Sequence, residues 1–143
     1  MPKADSGRVT HSPVEVEWVG GSEFEAHRSG GAKIRIDGDA RNAPSPFDVL
    51  LASLASCSAI DVVTILQKQR TPVKALCVTI EAQRIDAIPR RLASAILHFA
   101  ITAPGTTSAK VARAVELSIT KYCSVRSSLS ADVPVKWTIE LKS

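Results

Sequence analysis

The chain has 143 residues, 45% apolar, 22% charged and only 4% aromatic, with a formal charge of +4 at neutral pH. This is the composition of an ordinary globular protein, and a chain of this length removes roughly 68–70% of its unfolded surface on folding, enough for one core without a metal or disulfide staple. The charges are interleaved, as in KIRIDGDAR and EAQRID, so the basic stripe of a nucleic-acid binder is missing.

Residues 1–12 are polar and without periodicity, and are expected to form a mobile leader ahead of a single domain over 13–143. No uninterrupted apolar run approaches about 18 residues, and MPKADSGRVTHSP contains no apolar segment of a secretory signal, which points to a cytoplasmic protein with no membrane partner.

From Val14 the pattern has period two. Val14, Val16 and Trp18 alternate with Glu15 and Glu17, then Phe24 and Ala26 with Glu23 and Glu25, then Ile34 and Ile36 with Lys33 and Arg35. That alternation predicts three half-buried strands, and Gly20-Gly21 and Ser29-Gly30-Gly31 supply the turns between them. A polar loop with Asp37-Gly38-Asp39 leads to Ser45, a good N-cap, and to Pro46, which is favoured at the first helical position.

The helix that follows, PFDVLLASLASCSAIDVVTILQKQR, carries Phe47, Leu50, Leu51, Leu54, Val62, Val63 and Leu66 in a wide apolar band, with only QKQR reading as solvent-exposed. Cys57 lies on or beside the buried stripe, and the small residues of ASLASCSA allow another backbone to approach closely. Two strands are predicted next, over about Val73 to Arg84 and Leu92 to Thr102. A second helix is expected from Ser108 through about Cys123, and a last strand has Val135, Trp137, Ile139 and Leu141 on one face. Strands grouped before and between helices, without regular alternation, favour an α+β class over a doubly wound sheet.

Three widely spaced cysteines fit reduced or redox-active thiols better than a disulfide framework. A lone cysteine in an apolar helix is usually a small buried hydrophobe, so Cys57 needs its neighbours to argue for a role. His11, His27 and His98 show no metal spacing, there is no CxxC, and no Gly-rich phosphate loop precedes a helix, so no metal or cofactor is expected.

The neighbours of two cysteines carry a resemblance. PSPFDVLLASLASCSAIDVV is similar to the central-helix signature of the OsmC/Ohr family, with Pro46 eleven residues before Cys57. KYCSVRSSL resembles its second signature, carried here by Tyr122, Cys123, Ser124 and Val125. The cysteines are 66 residues apart (57 to 123), and the strand, strand, helix order between them also matches that family.

The resemblance implies antiparallel strands around a long central helix, an intertwined homodimer with sites at the subunit interface, and reduction of organic hydroperoxides or hydrogen peroxide. It makes Cys57 the attacking thiol and Cys123 its resolving partner, with an external dithiol as reductant. A predicted helix C-terminus at Cys123, whose dipole disfavours a thiolate, agrees with the resolving role.

It further implies an Arg from the N-terminal hairpin that stabilises the thiolate, for which Arg28 is the candidate and Arg35 the rival, and a Glu ten residues before the first cysteine. Phe47 stands at that Glu position. Asp48 is one helical step away, turned by about 100°, and does not replace it directly. Asp61 and Cys77 are expected to take no part. The departure at Phe47 keeps a dimeric binding protein with an apolar pocket, or a redox sensor, as alternatives to a peroxidase.

Overall fold

The computed structural model describes residue 11 and residues 13–142, so the expected leader, apart from His11, lies outside the described residues. Contacts cluster into two compact units that divide in the sequence between Leu50 and Leu51.

The N-terminal unit is an antiparallel sheet of β1 (Glu15–Gly20), β2 (Glu23–His27) and β3 (Ile34–Asp37), in that order. Val16 pairs with Ala26 and Trp18 with Phe24, while β3 sets Ile36 beside Phe24 and Ile34 beside Ala26. The alternation therefore gathers the apolar side chains on one face, as period two requires. The opposite face holds Arg35, whose guanidinium donates to Glu23 at 2.8 Å and to Glu25 at 3.1 Å. Gly20 and Gly21 have φ of 118° and 54°, the left-handed region that this tight turn needs.

Asp37 closes the sheet. It is buried, and its carboxylate accepts from the Ser22 hydroxyl at 2.5 Å and from the N–H groups of Asp39, Arg41 and Asn42. These donors, led by Ser22, hold its carboxyl well below the usual carboxylate range.

The helix α1 spans Pro46–Lys68. Its start is a reciprocal cap: Ser45 Oγ accepts from Asp48 N–H at 3.1 Å, and Asp48 accepts from Ser45 N–H at 2.9 Å. Leu54, Ser58, Val62 and Leu66, every fourth residue, form the buried stripe. Exposure is not confined to the C-terminal end as expected: Ala52, Ser56, Ile60 and Thr64 form a second stripe open to solvent, with Ile60 64% exposed. By length and composition α1 is also apolar enough to cross a membrane. Counting uninterrupted apolar residues missed this, because its serines and threonines break the run without making the helix polar.

Strands β4 (Ala75–Arg84), β5 (Leu92–Thr102) and β6 (Val135–Lys142) form the second sheet in that order. β4 and β5 are antiparallel, whereas β5 and β6 are parallel, so the chain between them must cross over. The crossover contains α2 (Ser108–Leu117), capped by Thr107, which accepts from Lys110 N–H at 3.2 Å. Leu97, Phe99 and Ile101 of β5 and Val111, Ala114 and Val115 of α2 are buried.

The second helix does not continue to Cys123. It ends at Leu117, gives way to a π-helical turn over Ser118–Tyr122, and resumes as the short α3 (Ser124–Ser128). Cys123 is the extended residue between them, with φ −72° and ψ 107°.

Candidate active site

A serine on an apolar stripe must find a partner for its hydroxyl, and Ser58, fully buried on α1, finds two. Its Oγ lies 2.8 Å from the Leu54 carbonyl and 3.6 Å from Cys123 Sγ, the second an ordinary length for the larger sulfur atom. Ser118, also fully buried, donates its hydroxyl to the Ser58 carbonyl at 2.5 Å. Cys123 N–H returns to Ser118 O at 2.8 Å, the i to i−5 bond of the π-helical turn. Ser58, Ser118 and Cys123 thus form a closed ring that ties the second cysteine motif to α1 one residue from Cys57.

The ring brings the two cysteines together. Cys57, half-buried, and Cys123, 3% exposed, are both free thiols, close enough for each side chain to act electrostatically on the other. Burial pushes the Cys123 thiol up. The Arg126 N–H, 3.4 Å from Sγ, and the Ser58 hydroxyl oppose that shift, while Cys57 adds to it. Cys123 does not lie at the helix C-terminus expected for it: it caps the start of α3 as well as ending the π-helical turn, so burial, not a helix dipole, disfavours its thiolate.

The surroundings of Cys123 are open on one side. A cleft of about 380 Å³ is lined by Cys123, Lys121, Arg126, Leu129 and Trp137 among others. The Arg126 guanidinium is engaged with the Ser130 and Val133 carbonyls at 3.2 and 2.9 Å, so it holds the loop after α3.

Arg28 belongs to the N-terminal unit, one residue beyond β2, exposed, with its carbonyl accepting from Gly31 N–H at 2.8 Å. Phe47 and Asp61 are half-buried on α1, and Cys77 is exposed on β4. Sequence reasoning passed over Ser58 and Ser118, although a serine in step with Leu54 and Val62 was a readable signal. It also passed over a cross-strand array in which His98 contacts Glu81 at 2.8 Å and Thr138 at 2.6 Å. Among the described residues no group of three or more His, Cys, Asp or Glu is placed to hold a metal ion.

The family model described as OsmC-like protein matches residues 37–138. The chain belongs to the OsmC-like family. "Protein YhfA" of Escherichia coli K12 is 40% identical over 129 residues, covering 90% of this chain and 96% of that protein. A solved OsmC-like protein from Mycoplasma pneumoniae superposes with a TM-score of 0.80 at 15% identity, covering 94% of this chain and 99% of its own. The organic hydroperoxide resistance protein OhrB of Bacillus subtilis gives 0.61 at 12% identity, covering 92% and 98%. At such identities the two structures speak for the fold, which is the expected OsmC/Ohr-like α+β architecture.

Proposed function

We propose that this OsmC-like protein is a cysteine-based peroxidase that reduces organic hydroperoxides or hydrogen peroxide in the cytoplasm. The observation that carries the reading is the meeting of Cys57 and Cys123, from motifs 66 residues apart (57 to 123), as neighbouring free thiols. The Cys57 thiolate attacks the outer oxygen of the peroxide. The O–O bond breaks, an S–O bond forms, and the alcohol leaves after taking a proton, with Cys57 oxidised to a sulfenic acid. Cys123 then attacks that sulfur as a thiolate, the S–S bond forms, and hydroxide departs to be protonated to water. An external dithiol restores both thiols by exchange and is itself oxidised to a disulfide.

A homodimer and Arg28 belong to the same proposal. Trp18, Val16 and Ile34 lie exposed on the apolar face of the N-terminal sheet, and Ile60 on α1 is exposed as well, a supply of apolar surface suited to a second copy. Arg28 is favoured over Arg35 as the activating cation because Arg35 is already held by Glu23 and Glu25.

Phe47 supports a second reading, a dimeric binding protein or redox sensor with little turnover, since it leaves the activating Arg without the Glu that the resemblance implies. Consumption of an organic hydroperoxide with a dithiol, comparing the parent with Cys57→Ser, separates the two. Rapid turnover abolished by the substitution supports the peroxidase; equal slow rates support the binding protein or sensor.

A further inference from the structure

The hydroxyl of Ser58 has one proton and two neighbours that can accept it. Leu54 O, at 2.8 Å, is the stronger acceptor while Cys123 is a neutral thiol. In that state the thiol can donate its own proton to a lone pair of Ser58 Oγ across the 3.6 Å contact. When Cys123 loses its proton, the balance reverses, because a thiolate is a charged acceptor and charge-assisted bonds are about twice as strong as neutral ones. A rotation of the hydroxyl about its C–O bond then delivers the Ser58 proton to the sulfur, without movement of heavy atoms.

The surroundings leave this hydroxyl little else to do. Ser58 is fully buried, away from bulk solvent, and its carbonyl is engaged by Ser118 Oγ at 2.5 Å. Ser118 O in turn holds Cys123 N–H at 2.8 Å, and Arg126 N–H also reaches the sulfur, at 3.4 Å.

We propose that Ser58 is a positioning residue for the resolving thiol, its hydroxyl turning from the Leu54 carbonyl to Cys123 Sγ as the thiolate forms. It rests on the dithiol reading above, in which Cys123 must ionise to capture the sulfenic acid at Cys57. Ser58 offsets part of the cost of making that thiolate in a buried place. Without its hydroxyl the Cys123 thiolate fraction near neutral pH should fall about tenfold, and capture should slow in proportion.

The test uses the full chain with Cys57→Ala and Cys77→Ser, in which Cys123 is the sole thiol and residue 57 offers no side-chain acceptor. Thiolate absorbance followed against pH should give a midpoint that rises by roughly one unit on adding Ser58→Ala. Ser58→Thr, which keeps a hydroxyl, should hold it close to the starting value. An unchanged midpoint in Ser58→Ala would overturn the proposal, as would an equal rise in Ser118→Ala, which loosens the ring but leaves the Ser58 hydroxyl in place.

If Ser58→Ala does not fold, the S–H stretch of the two-substitution chain decides by infrared spectroscopy. A lowered, hydrogen-bonded frequency supports the contact with Ser58 Oγ, and a non-bonded frequency contradicts it. Neither readout uses a peroxide, so a failure of the peroxidase reading and a failure of this inference are told apart.

Discussion

Ser118 Oγ donates to the Ser58 carbonyl at 2.5 Å, a buried bond between the π-helical turn and α1 that fixes where the second cysteine motif meets the first. Ser118→Ala removes the donor and leaves a buried carbonyl lone pair without it. The expected cost is about 1–3 kcal/mol, measured as a lower urea midpoint with unchanged slope. An unaltered midpoint would mean that the bond contributes nothing net.

Asp37 should make the stability of this protein sensitive to acid. Its carboxyl titrates in the folded state below the unfolded value of about 4, so its contribution is fully present above that pH and is lost as pH falls toward the folded value. Asp37→Asn should lower the unfolding midpoint at neutral pH and flatten the dependence of stability on pH below about pH 4. A parallel curve, merely displaced downward, would assign the acid sensitivity to other carboxylates.

The exposed apolar face of the N-terminal sheet predicts self-association. Trp18, 67% exposed, is its largest open side chain. Sedimentation should find a dimer at micromolar concentration, and Trp18→Glu should weaken it at least tenfold, since burying a lone carboxylate in an apolar contact is costly. A stable parent monomer would remove the shared-site proposal, including the role given to Arg28.

Much of this architecture was readable from periodicity. Glu15–Gly20, Glu23–His27 and Ile34–Asp37 are strands where period two placed them, and Ser45 caps α1 as its position before Pro46 suggested. The break after Leu117 was not readable, because the π-helical turn keeps Ser118 and Ile119 buried and imitates continued helical spacing up to Cys123. A helix continued to Cys123 would set a dipole against its thiolate, whereas in the structure burial does so. The cysteine pair itself was legible only through the two motifs together; nothing in the spacing of Cys57 alone distinguishes it from a core residue. Ser58 stands in step with Leu54 and Val62, and that register is its one signal in the sequence; its small size among the alanines and serines of ASLASCSA masks it.

Native alkylation should follow exposure. Cys77, exposed on β4, should be modified well before Cys123, which is 3% exposed, and Cys77→Ser should leave peroxide consumption unchanged. Loss of activity in Cys77→Ser would bring the third thiol into the chemistry.

The most direct measurement is peptide mapping by mass spectrometry after one equivalent of an organic hydroperoxide. The predicted product is an intramolecular Cys57–Cys123 disulfide, with Cys77 reduced. Cys123→Ser should instead accumulate sulfenic or sulfinic acid at Cys57, and Cys57→Ser should leave Cys123 largely reduced. A disulfide that involves Cys77, or oxidation of Cys123 that proceeds equally well in Cys57→Ser, would contradict the assignment of Cys57 as the thiol that meets the peroxide.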